Sequence, residues 1–319
     1  MEQLVLESQQ FKDYLENHLL NELRLIQKSD LHSHAGRGGN VDYIASWAGV
    51  TISPPPKSFN SLSSMQEWYD NNIKIHCPGE EGYLKRWEAA FVQASNDNIS
   101  VLSLSYTIAE IDYVGGIDRY IKILSEFHQK FSPNTVFLPE LTFDRACDTE
   151  REIERLDEIF NYNWFKSIDI CCDEFAQPIN NFKDIYRKAK KSSLKLKAHV
   201  GEFGKADDVM EAVEVLELDE VHHGIAASSS VQIMNWLANH KIQLNICPTS
   251  NIMLGLVSDY NNHPIRLFYD HGIPVTINTD DQLIFNQSVS QEYFNLFNCG
   301  LMNADELDDI RIYGLKCNI

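Results

Sequence analysis

The chain has 319 residues, 44% of them hydrophobic, which is enough to bury one large core, and it reads as a single domain over 1–319 rather than two small ones. A formal charge of −19 excludes docking on a nucleic-acid polymer, gives no reason to expect a membrane as partner, and points to small diffusible substrates. Seven cysteines without a C-x-x-C pair, no apolar run of membrane-spanning length and no leader-like start exclude a disulfide framework and a four-cysteine zinc ribbon, and make the cytoplasm the expected home.

In chain order, Phe11, Tyr14, Leu15 and Leu19 fall at helical spacing and predict an amphipathic N-terminal helix over one end of the core. Eight apolar strands follow, at 28–32, 100–106, 135–141, 167–172, 194–199, 220–223, 242–247 and 273–279. The long connection 35–99 opens with Gly36-Arg37-Gly38-Gly39, contains Pro54-Pro55-Pro56 and then a helical pattern with Met65, Trp68, Tyr69 and Ile73. It is expected to build over the rim, as an apolar lid or by packing on the barrel. Ala206, Val209, Met210, Val213 and Leu216 predict a helix with Asp207 and Asp208 in its first turn. Ser228 to Ser230 start another that aligns Val231, Met234 and Leu237. Strands alternating with helices imply parallel pairing, and eight repeats predict an α/β fold closed as a (β/α)8 TIM barrel. The alternative, an open doubly wound sheet, lacks a Gly-x-Gly-x-x-Gly turn after its first strand.

Four polar fragments stand at strand ends: His32-Ser33-His34, His199-Val200-Gly201-Glu202, His223-Gly224 and Asp280-Asp281. Two histidines at i and i+2 on a strand point to one face, so both can reach one ion. His199 and Asp280 complete an N3O set suited to one zinc per chain, although iron or manganese also fits such a set. A zinc held there would lower the pKa of a bound water to about 7. Glu202, His223 and Asp281 are left over for the chemistry.

Asp30-Leu31-His32-Ser33-His34, His199-Val200-Gly201-Glu202, Val221-His222-His223-Gly224, Cys247-Pro248-Thr249-Ser250-Asn251 and Asn278-Thr279-Asp280-Asp281 together resemble the successive signatures of the adenosine deaminase family. The resemblance runs from about residue 28 to 285. It implies zinc-dependent hydrolytic deamination of an adenine nucleoside or its 5′-phosphate to the inosine form plus ammonia. By the same resemblance Glu202 gives a proton to the purine N1, His223 orients the attacking water, and Asp281 bonds to the water or to N7. Cys172 and Gly201 are implied as substrate contacts, and the box at Cys247 to Asn251 as shaping the loop near the metal. His222 reads as a packed or surface histidine, and His76, His128, His240, His263 and His271 are given no role.

Three departures bear on substrate. Gly36, followed by Arg37, stands two residues after the second metal histidine, where the family commonly has an acidic or amide group for the ribose. Arg37 is therefore expected either to grip a 5′-phosphate or to stand as an exposed loop charge. Cys172 stands where a glycine often precedes Asp-Glu, and Gln282 where proline is usual. The rival readings are an amidohydrolase acting on another C–N bond and a catalytically silent nucleotide-binding protein. Sugar, phosphate number and oligomeric state stay open.

Overall fold

The computed structural model describes residues 2–316. Eight strands follow in order: β1 Lys28–His34, β2 Ile99–Thr107, β3 Val136–Asp144, β4 Ser167–Cys171, β5 Lys195–Val200, β6 Glu220–His223, β7 Gln243–Ile246 and β8 Val275–Ile277. Each pairs in parallel with the next, and helices fill the connections, giving the (β/α)8 barrel that the alternation predicts. The seam closes just past β8. Ser33 bridges Asp280, the Asp280 N–H donates to the His32 carbonyl at 3.0 Å, and the His34 N–H donates to the Asp280 carbonyl at 3.2 Å. Barrel closure thus sets the backbones of His32, His34 and Asp280 side by side.

The alternation of each strand also turns polar side chains inward. Lys197 on β5 lies 2.8 Å from Glu140 on β3 and 3.5 Å from Glu220 on β6, and all three are buried. Glu220 also meets Lys195 at 2.6 Å and accepts from Asn245 at 2.8 Å; Glu140 accepts from Ser167 at 2.7 Å and Ser105, and meets His222 at 3.2 Å. Burial alone would raise the Glu220 carboxyl, yet Lys197 and Lys195 hold it down to about 2.

Among the surrounding helices, Glu2–Glu16 buries Phe11 and Leu15 as predicted, while Leu19 lies beyond its end and is exposed. Phe11 packs edge-on against Tyr293, under the guanidinium of Arg311. The helix Ala206–Leu216 buries Ala206, Val209, Val213 and Leu216. In Val231–His240, Ser230 caps the Ile233 N–H, but Val231 is exposed and Ile233 joins Met234 and Leu237 in the core; the first helical position faces away from the sheet.

The connection after β1 forms three main helices, Val41–Ala48, Leu62–Asn72 and Gly79–Asn96. Ile44, Phe59, Met65, Tyr69 and Ile73 make an apolar cluster of their own with Met253, Leu254, Leu283, Ile284 and Phe285, residues that follow β7 and β8. The helix carrying Met65 and Tyr69 therefore both packs on the barrel mouth and roofs it. Among the described residues no helix is long and apolar enough to cross a membrane.

Candidate active site

The predicted ligands converge at the strand ends. The rings of His32 and His34 are 5.1 Å apart, those of His32 and His199 4.6 Å, and those of His34 and His199 5.2 Å. Asp280 Oδ1 lies 3.6 Å from His32 Nε2 and 3.5 Å from His34 Nε2. The chemistry candidates stand beside them: His223 Nε2 is 3.8 Å from Glu202 and 3.9 Å from Asp280. One ring nitrogen each from His32, His199 and His223 also fall within 4.8 Å of one another, so distance alone does not separate His223 from the ligand set.

His223 and Asp280 occupy this cluster at a conformational cost, with φ of 63° and 62°, the left-handed region that branched or bulky residues avoid. Gly201, at φ 67°, needs its missing side chain, because a Cβ there would sit 2.2 Å from Val209. The turn it makes carries Glu202 from the end of β5 back over the cluster.

A metal ion fits the donors present. His32 is fully buried and neither ring nitrogen has a hydrogen-bond partner, a state that costs free energy unless something else takes a lone pair. Burial and the neighbouring histidines keep His32 and His223 well below the ordinary imidazole range, and burial brings His34 down to about 4, so all three are neutral and able to ligate. Against the burial that would lower it, the Asp169 carboxylate raises His199 to about 10. Burial, then Asp280, pushes the Glu202 carboxyl well up, and burial with Asp281 brings Asp280 to about 7. A divalent cation would reverse the directions at His199 and Asp280.

Several supporting residues take parts that spacing alone does not announce. Asp169 on β4 meets His199 Nδ1 at 3.0 Å, leaving Nε2 for the cluster, and Ser250 donates to Asp280 at 2.6 Å. Asn251 bonds His223 Nδ1 at 3.2 Å and is itself held by His263 Nε2 at 3.2 Å, so a histidine given no role sets the orientation of one given a central role. His222 is neither at the surface nor in the reaction centre: its ring stacks 3.9 Å below His32 and its Nε2 meets Glu140. Glu174 accepts the N–H groups of Gly201, Phe203 and Gly204, fixing the turn that aims Glu202.

A cavity of about 280 Å³ opens over the cluster and is lined by His34, Glu202, His223, Asp280 and Asp281 on one side and by helices of the 35–99 connection on the other. Arg37 and Cys172 line it. Cys172 adopts φ 75°, the glycine-like backbone, with its thiol exposed beside that of Cys171, Sγ to Sγ 3.3 Å. Two expectations change. Gly201 does not line the cavity, since its N–H is taken by Glu174 and its carbonyl by Ala226. The Arg37 guanidinium is already engaged, with Asp281 at 2.8 Å, Gln66 at 2.5 Å and the Tyr69 ring beneath it at 5.1 Å, so its charge is answered before any phosphate arrives.

The Adenosine deaminase family profile matches residues 138–319, which include every cluster residue except the His32 and His34 pair. A protein of Treponema pallidum (strain Nichols) named for adenosine/adenine deamination is 32% identical over 276 residues, covering 86% of this chain and 92% of its own. An Arabidopsis ADAL protein complexed with IMP superposes with a TM-score of 0.76 at 18% identity, over 92% of each chain. An amidohydrolase from Burkholderia ambifaria with bound Zn superposes with a TM-score of 0.70 at 20% identity, over 92% of this chain and 85% of its own. With the profile spanning more than half of the sequence and a relative matching nearly end to end, the chain belongs to the adenosine deaminase family and is a hydrolytic deaminase.

Proposed function

We propose that this chain, working as one unit over 1–319 with 35–99 as its rim insertion, hydrolyses the exocyclic amine of an adenine nucleoside or 5′-nucleotide, using one zinc ion held by His32, His34, His199 and Asp280. The observation that carries this is the gathering of three imidazoles and a carboxylate at one rim of the barrel, with both ring nitrogens of His32 unpartnered. Bound there, zinc supplies the acidified water on which the reaction depends.

The chain's own residues do the rest. His223, held by Asn251, orients the water toward C6 and takes up its proton. Glu202, on the turn clamped by Glu174, gives a proton to N1 as C6 becomes tetrahedral. The C6–N bond then breaks, ammonia leaves with the proton that His223 took from the water, and C6 keeps the oxygen as the inosine carbonyl as its remaining hydroxyl proton returns to Glu202. Asp281, with its Oδ2 held by Arg37, has its Oδ1 free to accept from the attacking water beside the purine ring. Cys172 lines the wall beside the ring. The bound IMP of the Arabidopsis neighbour and the Zn of the Burkholderia one support this reading.

An ammonia-release screen over adenine, adenosine, deoxyadenosine and the mono-, di- and triphosphates tests it. Chelation is expected to abolish release and zinc to restore it. Full activity in demonstrably metal-free protein, or release only from compounds without an adenine ring, overturns the reading.

A further inference from the structure

We infer that Arg86 is the anion-binding residue of this pocket, so that the preferred substrate is an adenine nucleoside carrying a compact oxyanion, of which the 5′-phosphate is the first case. The inference takes the adenine deaminase reading for the base and adds the substituent.

Arg86 sits on the helix Gly79–Asn96, lines the cavity, and is only 5% exposed. Its Nη1 donates to the Gly36 carbonyl at 3.1 Å and to the Tyr69 hydroxyl, and the Tyr83 ring lies 4.6 Å from its guanidinium. Its Nε is buried with no partner, and no carboxylate of the described residues comes within 4.0 Å of it. The contrast with Arg311 is direct: that guanidinium is fully buried and meets Asp308 at 2.7 Å. A buried charge without a counter-ion is costly unless a partner arrives.

The nearby acid does not serve as that partner. Glu110 lines the same cavity, but its oxygens accept the Tyr83 hydroxyl and, at 2.8 Å, the Thr107 N–H; burial raises its carboxyl toward the neutral form. Two other cations line the cavity, and both are neutralised, Arg37 by Asp281 and Lys74 by Asp70 at 2.7 Å.

Gly36 explains why the charge stays open. A Cβ built there would stand 3.5 Å from Arg86 Nη1 and 3.9 Å from Glu110 Oε1, in ordinary contact with both. A side-chain carboxylate at this position, two residues beyond His34, would fall against Arg86 and close the pair. With glycine, that space is left for an oxygen of the substrate, and a guanidinium is suited to a phosphate or carboxylate through paired N–H donors.

The test uses the metal-loaded enzyme with adenosine, AMP and adenosine 5′-carboxylate. The expected result is that an oxyanion substrate exceeds adenosine in kcat/KM by about tenfold or more, with the phosphate and carboxylate arms saying which oxyanion is meant. Arg86→Met is expected to erase most of that ratio, chiefly through KM, and Arg86→Lys to restore part of it. A wild type that prefers adenosine or free adenine overturns the inference. So does an Arg86→Met enzyme in which nucleoside and nucleotide lose efficiency by the same factor, which would make Arg86 a packing residue. Should Arg86→Met fail to fold, Arg86→Lys decides alone, because losing the planar fork must still lower the AMP to adenosine ratio. If no adenine compound is deaminated, the deaminase reading falls, and calorimetric binding of IMP against inosine to wild type and Arg86→Lys judges Arg86 separately. An unchanged binding ratio there overturns it.

Discussion

Two buried polar clusters lie one layer apart inside this barrel, and they are built from neighbouring positions of the same strands. Lys197 and His199 are two residues apart on β5, and Glu220 and His222 two apart on β6, so strand periodicity aims all four inward. The lower cluster is closed: the Lys197 ammonium is met by Glu140, Glu220, Ser103 and the Leu31 carbonyl, and Glu140 and Glu220 take further donors. The upper cluster is open, with both nitrogens of His32 and one oxygen of Asp281 unpartnered. Burial and charge are common to both. Only the unmet valence separates the scaffold from the proposed reaction centre, and the same criterion points to Arg86 across the cavity.

The largest effects should fall on different observables in the two layers. In the upper one, Glu202→Gln is expected to keep near-stoichiometric metal yet lose about a hundredfold or more in turnover, since an amide cannot relay a proton. Ammonia release together with metal analysis checks it, and a normal rate would remove Glu202 from the reaction. In the lower one, Lys197→Met leaves Glu140 buried without its lysine and Glu220 with Lys195 alone, which is expected to cost about 3–5 kcal/mol of stability in denaturant unfolding. A loss below about 1 kcal/mol would mean that the layer relaxes or takes up water, and that closure is not what holds it.

Acid titration sharpens the same contrast. The Glu220 carboxyl is held at about 2 in the folded protein against an ordinary 4.5, and Glu140 is also held low by Lys197 and His222 despite its burial. A depressed folded-state value gives stability that is present above the unfolded pKa and lost as pH falls through the folded one. Stability should therefore hold from neutrality to about pH 5 and fall between about 4.5 and 2, by about 3 kcal/mol for Glu220 alone. Lys197→Met should flatten or invert that acid limb, because without the cation burial favours the protonated acids. An acid limb identical in wild type and variant would assign the pH dependence to other carboxyls.

Metal binding should respond more modestly to the residues behind the ligands. Asp169→Asn weakens the bond that fixes the His199 ring and should lower metal affinity about 10- to 100-fold, read by competition with a chromophoric chelator. No change in affinity would place Asp169 with the scaffold layer instead.

How far the sequence announced all this follows from which signals are local. The eight strands were visible because a strand covered on both faces reads as an apolar run, and each was placed within a few residues of its observed span. His32 and His34 were visible because a period of two is written in the sequence itself. The lower layer was not, since a lysine at 197 or a glutamate at 140 reads as a solvent-facing strand position until closure makes the inside polar. His263 is illegible for a similar reason: its bond to Asn251 crosses a loop, and it has no ligand spacing. Arg86 looks like an ordinary cation of an amphipathic helix, and nothing short of the folded cavity shows that it lacks a counter-ion. Arg37 was noticed, but its partner, Asp281, is 244 positions away and reaches it only because the barrel closes.

That pairing yields the smallest of the expected effects and a direct check on the division between the two arginines. Arg37 donates to Asp281 at 2.8 Å while its own side chain is 29% exposed, so solvent screens the pair and its contribution should be about 1 kcal/mol rather than that of a sealed ion pair. Its effect should also be indifferent to the substrate's phosphate, because what it steadies is a carboxylate facing the purine ring. Arg37→Gln is therefore expected to lower efficiency about threefold to tenfold on adenosine and AMP alike, leaving their ratio where Arg86 sets it. Kinetics of the single variants and of the double variant with Arg86→Lys measure this. If Arg37→Gln instead lowers activity on AMP alone, Arg37 turns from Asp281 to the oxyanion when substrate binds, and the anion site belongs to both arginines.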